Sequence, residues 1–340
     1  MSFNKQILCL VLIIFTYCDG FSQVTLSDSL HTLKKDTLQK NEQSYNTGNG
    51  KVYIYPKPRP FGFLTRIPGD AAGMAATTFK KSSIKPLLIL AGSTTVLLFA
   101  DQFIADQSKK ICKDINFQTD EDNKDLVAIK IGKKQTSIIK VPQNLNTAVY
   151  QLGQGFYGLL IGAGLFTYGK FTHDYRSLST ASQLTESFIM LGIGTQLLKR
   201  ITGRETPGEA SASGGKWRLF PSFSDFQNQT PKYDAFPSGH MATMIATVTI
   251  LAQNYPEKKW IGPVGYSISG LVGLSMINNK VHWASDFPLA IGLGYLCARQ
   301  IVKKSRKTLN THLTKKSERT LSYTFNYVNG KLLPVIIYKF

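Results

Sequence analysis

Pro237-Ser238-Gly239-His240 sets a ring-locked residue, a hydroxyl, a bare backbone position and an imidazole side by side. Proline suits the first turn of a helix, where its missing N–H would have no partner in any case. Asp234 is placed to cap that helix. Ser238, Gly239 and His240 would then lie on the unpaired N–H groups at the positive end of the helix dipole, a ready anion site. Some forty residues on, His282 and Asp286 stand four apart. On a helix they share a face, so the carboxylate can accept from one ring nitrogen and leave the other to attack. Upstream lie Lys199, Arg200 and Arg204. Three segments thus supply cations, an anion nest, two histidines and one carboxylate.

The elements that must position these groups read as helices. Apolar runs predict helices over Pro86 to Ala105, Leu145 to Phe171, Thr180 to Lys199, Pro237 to Gln253, Ile261 to Asn278 and Ala284 to Val302, after a shorter one over Ile67 to Phe79. The cations then end the third of the six long helices, the Pro-Ser-Gly-His run opens the fourth, and the His/Asp pair follows the fifth. Gly203 to Ala235 forms a long loop with Trp217, Phe220, Phe223 and Phe226. It reads as a lid over the site or as packing onto the bundle. The tail alternates over Thr320 to Phe340 around Asn329-Gly330, a hairpin signal.

These segments resemble the type 2 phosphatidic acid phosphatase family, which includes lipid phosphatases, bacterial acid phosphatases and vanadium haloperoxidases. Its motifs read Lys-x6-Arg-Pro, Pro-Ser-Gly-His and Ser-Arg-x5-His-x3-Asp, and their order and spacing recur over residues 85 to 305. The resemblance implies an all-α, membrane-associated six-helix bundle, to which the tail adds a short β-hairpin. It implies a phosphatase in which His282 is the nucleophile, Asp286 fixes its tautomer, and His240 is the acid and then the base. Lys199, Ser238 and Gly239 would bind the phosphate, with no metal or cofactor. The family's two arginines fall on Thr206 and Met276. Arg204, two residues before Thr206, is the expected substitute in phosphate binding. Lys280 is a second, since a continuing helix would place it one turn beyond Met276 on the same face. A non-catalytic relative that binds lipid or shapes the envelope is the alternative reading. A haloperoxidase would need the vacated arginines to hold vanadate.

Composition sets the surroundings. The 340 residues hold 40 Lys and Arg against 21 Asp and Glu, a formal charge of +19. That charge suits anionic lipids or phosphate substrates, and no nucleic-acid motif accompanies it. Lys5, the apolar run Ile7 to Phe15 and Gly20-Phe21-Ser22 read as a signal peptide over 1–22, with an uncleaved anchor as the alternative. Residues 23–60 read as a flexible exported linker, 61–308 as the helical domain and 309–340 as a basic segment with the hairpin. The protein is therefore expected in a bacterial envelope, with its site on the periplasmic side, a lipid phosphate as substrate and the membrane as partner. A cleaved signal followed by six full spans would put the site on the other side, so the number of spans is left open. Cys112 and Cys297 suggest no disulfide framework, and His31, His173 and His312 lack partner spacing.

Overall fold

The structure, a computed structural model, describes residues 41–48, 50–114, 118, 122–131, 134–310, 320–328 and 331–339. The residues read as a signal peptide, residues 23–40 and 49 of the expected linker, His31, His312 and the Asn329-Gly330 dipeptide lie outside them. The chain divides at Asn41 and Glu42, and the second unit carries all the elements below.

It opens with strands β1 (Glu42–Asn46) and β2 (Lys51–Pro56). Helices α1 (Gly62–Thr78) and α2 (Ile84–Asp114) follow. Strands β3 (Asn123–Ile131) and β4 (Lys134–Pro142) form an antiparallel pair. Then come helices α3 (Leu145–Leu152), α4 (Gly155–Thr172), α5 (Tyr175–Thr202), α6 (Phe223–Asn228), α7 (Gly239–Asn254), α8 (Ile261–Asn278) and α9 (Phe287–Ser305). Strand β5 (Lys307–Asn310) joins β2 in a three-stranded sheet of order β1-β2-β5, and β6 (Thr320–Val328) pairs antiparallel with β7 (Lys331–Lys339).

The long helices fall where the apolar runs placed them. The span from Leu145 to Phe171 is two helices rather than one, broken at Gly153 and Gln154. Part of the stretch read as linker is ordered: Glu42 pairs with Pro56 and Asn46 with Val52, and β5 covers the other edge of β2. Tyr55, fully buried, donates to Asn254 Oδ1 at 2.8 Å and so ties this sheet to the end of α7. β1 is mostly polar, and in β2 the adjacent Ile54 and Tyr55 are both buried, so neither strand shows a clean alternation to read.

The core lies between α5, α7, α8 and α9. Ile250, Met276 and Ile301 are fully enclosed, each burial favouring the fold by about 1.5–3 kcal/mol. Helices α7 and α9 meet backbone to backbone at Gly294, where an added Cβ would strike the Ala242 carbonyl oxygen. A larger residue there would force the pair apart.

The polarity of the helices runs inside out. Asp101 of α2 and Arg176, Gln183 and Glu186 of α5 point inward and are buried. Phe99 and Phe103 of α2, Ile193 and Leu197 of α5 and Leu271 and Leu274 of α8 point outward and are exposed. Residues Lys81–Asp114, which include α2, are long and apolar enough to cross a membrane. Cys112 and Cys297 are buried, unpaired thiols.

Candidate active site

Helix α5 ends just past its cations because Gly203 takes a left-handed conformation (φ 52°), and its N–H closes on the Lys199 carbonyl at 2.8 Å. A Cβ at Gly203 would strike the Arg218 carbonyl oxygen, so glycine permits both the stop and the close return of the loop. Lys199 is almost fully buried, with its ammonium 3.5 Å from Asp234 Oδ2. Asp234 is therefore the partner of the lysine and not a helix cap.

The cap of α7 is Ser238. Its Oγ accepts from the Met241 N–H at 3.3 Å, and its extended backbone lets Gly239 begin the helix. Pro237 thus precedes the first turn, after a cis peptide bond with Phe236. The N–H groups of Gly239 and His240 have no acceptor within the helix and form the anion nest. Thr195, one turn before Lys199, lies 3.4 Å from where a Cβ of Gly239 would be. Tyr150 of α3 packs on the His240 ring at 5.6 Å. Sequence reasoning had singled out neither residue, and neither lies in a motif.

His282 reaches the site by a route other than the helix expected for it. Lys280 is left-handed (φ 57°), α8 stops at Asn278, and the N–H groups of Val281 and His282 turn back onto the Met276 carbonyl. The helical extension that would have put Lys280 beside Met276 does not exist. A 3-10 turn over Ala284–Asp286 then brings the carboxylate back to the ring. Asp286 Oδ2 accepts from the Trp283 N–H at 2.7 Å and lies 3.4 Å from His282 Nδ1. The Ala235 carbonyl is nearer, at 2.8 Å from the same nitrogen. Both neighbours only accept, so Nδ1 carries a proton, and in the neutral ring Nε2 keeps the lone pair. The rings of His240 and His282 stand 6.0 Å apart at 70°, and His240 Nδ1 is buried without a partner.

The structure thus brings Lys199, Ser238, Gly239, His240, His282 and Asp286 together. Arg204 does not face the nest. Its guanidinium is fully buried behind Asp286, donating to Asp286 Oδ1 at 2.5 Å and to Asp101 Oδ2 at 2.6 Å. The expectation that it replaces a phosphate-binding arginine fails because its fork is already filled by two carboxylates. Met276 is enclosed, its sulfur 3.7 Å from Ser238 Oγ, so it supplies packing at the foot of the nest and no charge.

The long loop divides in function. Phe226 is buried and stacks with Arg200, while Leu219, Phe220 and Phe223 are exposed. Glu205 anchors it. Burial pushes that carboxyl up, but the Ser211 and Lys216 N–H groups, Arg218 and the Ser211 hydroxyl more than offset this and hold it down at about 2.

Residues 180–308 match the model of the PAP2 superfamily, the family that the three motifs resemble. A lipid A 1-phosphatase of Porphyromonas gingivalis is 31% identical over 107 residues, which cover 29% of this chain. The chain spans 24% of the length of that relative. A solved transmembrane PAP2-type phosphatidylglycerolphosphate phosphatase of Bacillus subtilis aligns with 71% of this chain and 94% of its own, at 16% identity and a TM-score of 0.34.

Proposed function

We propose that this protein is a membrane-associated phosphatase that hydrolyses a phosphomonoester or diphosphate of a lipid through a phosphohistidine. The observation that carries the reading is the pairing of a His282 whose Nε2 holds the lone pair with a second histidine across a helix N-terminus. His282 Nε2 attacks phosphorus, and the equatorial oxygens settle on the Gly239 and His240 N–H groups and on Lys199. Ser238 contributes its hydroxyl hydrogen. His240 protonates the leaving oxygen, then takes a proton from the water that cleaves the P–N bond and frees His282.

The lipid and the membrane are supported by the inside-out helices and the apolar span. Apolar faces of that extent are stable in hydrocarbon and not in water. The exposed Leu219, Phe220 and Phe223 offer a rim for acyl chains close to the Lys199 end of α5. The lipid phosphatase relative agrees with this. Export to a bacterial envelope and a periplasmic site complete the reading.

A second reading has its own observation. With Met276 enclosed and Arg204 turned away, Lys199 is the motif cation that the described residues place at the nest, and Asp234 already faces it. A non-catalytic relative would show that thinning. Phosphate release by the full chain in detergent, with chelator and a panel of lipid phosphates, separates the two. His282→Ala should lower the rate by about 10⁴-fold or more. Equal rates in the variant would favour the non-catalytic relative.

A further inference from the structure

Behind Asp286 lies a cluster that the phosphoryl-transfer scheme leaves unused. Asp101, in the middle of α2, is fully buried and lies well before the first motif in sequence. Its Oδ1 accepts from the Ser285 N–H at 2.9 Å, and its Oδ2 accepts from the Ser285 hydroxyl at 2.5 Å and from Arg204 Nη2 at 2.6 Å. Arg204 Nη1 donates to Asp286 Oδ1 and, at 2.7 Å, to Ser285 Oγ. Nη2 also donates to the Gly214 carbonyl at 2.8 Å, and Trp217 and Trp283 lie over the guanidinium at 4.9 and 5.5 Å.

Arg204 touches both groups that face His282 Nδ1. Its fork holds Asp286, and its own carbonyl accepts from the Ala235 N–H at 3.0 Å, which fixes the Ala235 carbonyl against the ring. The charges also do not cancel. Two carboxylates surround one guanidinium, so the cluster holds one negative charge in surplus beneath the imidazole. Without Asp101, Arg204 would neutralise Asp286. With it, the surplus matches the positive charge that the ring gains when Nε2 bonds to phosphorus.

We propose that Asp101 and Arg204 are a positioning pair: Arg204 fixes the His282 tautomer from two sides, and Asp101 keeps the cluster negative so that the phosphorylated imidazolium is stabilised. The charge function rests on the phosphohistidine reading. The tautomer function does not.

The test uses the full chain in detergent with ¹⁵N-labelled histidine. The sequence contains 5 histidines, and the His282 signals are those that disappear in His282→Gln. Wild type should show the Nδ1–H tautomer at His282, and Arg204→Lys, which keeps a charge but loses the fork, should show a mixture. Asp101→Asn should keep the Nδ1–H tautomer, since the fork on Asp286 remains. In the same samples it should lower kcat by about 100-fold with KM changed less than about threefold. A wild-type tautomer in Arg204→Lys together with wild-type kcat in Asp101→Asn would overturn the proposal. A wild type that releases no phosphate while its tautomer still depends on Arg204 would instead remove the phosphatase reading and keep the positioning role. Where Arg204→Lys does not fold, Asp101→Asn, which is nearly isosteric, decides the charge function alone.

Discussion

The two faces of the candidate site are built on opposite principles. Behind His282, three charged groups, a serine and two tryptophans enclose one another, and the Asp101, Arg204 and Asp286 side chains have no exposure. In front, the anion nest consists of two helix N–H groups, one serine that also caps α7, and a lysine that shares its charge with Asp234. Thr206 and Met276 stand where the motifs that the chain resembles carry arginines. On the phosphatase reading the rear would hold the nucleophile in one tautomer, and the front would hold phosphate by dipole and a point charge, without the bidentate forks that bind it best. On the proposed reading, binding energy must come from the rest of the substrate, which suits a lipid whose chains lie over exposed aromatics.

That contrast can be broken most forcefully at Lys199. If the front depends on this cation, Lys199→Ala lowers kcat/KM by about 100-fold, measured as phosphate release from a lipid phosphate at low substrate. A loss below about threefold would mean that another cation reaches the nest.

The next change sharpens the contrast by restoring a fork. Met276 ends beside the Ser238 hydroxyl, so Met276→Arg should bring a guanidinium to the foot of the nest. Inorganic phosphate should then inhibit about tenfold more tightly, read from competition against an aryl phosphate. Unchanged inhibition would show that the side chain at 276 cannot turn toward the nest.

The smallest effect lies on the loop between the two faces and appears in stability. Glu205 is held below its ordinary value, to about 2. Its contribution is present above the unfolded carboxyl value of about 4.3 and is lost as pH falls toward the folded value. The wild-type melting temperature should therefore fall between about pH 5 and pH 2 more steeply than that of Glu205→Gln. Parallel curves would remove Glu205 as the anchor of the loop.

The long helices and the order of the three segments were legible in the chain, and six of the seven residues expected at the site lie together in the fold. Helix α8 ends at Asn278, where the apolar run stops, and Gly203 marks a helix end by the conformation it favours, whereas the start of α7 was expected at a cap on Asp234 and lies at Ser238. Such signals are local, because they depend on the backbone preferences and periodicity of neighbouring residues. The role of Arg204 was not legible. Its place two residues from a vacated arginine suggested the front of the site, and only the fold shows it turned to the rear. Asp101 lies in a stretch with no motif to single it out, and Lys280 looked like a substitute cation on a helix that in fact ends before it. Of the strands in residues 42–56, β1 and β2 pair with each other, but the β5 edge that completes their sheet lies some 250 residues later. Which way a buried charge faces depends on partners distant in sequence and close in space. The spacing of residues along the chain carries no record of them, and packing alone decided that Asp101, Arg204 and Asp286 share one enclosed cluster.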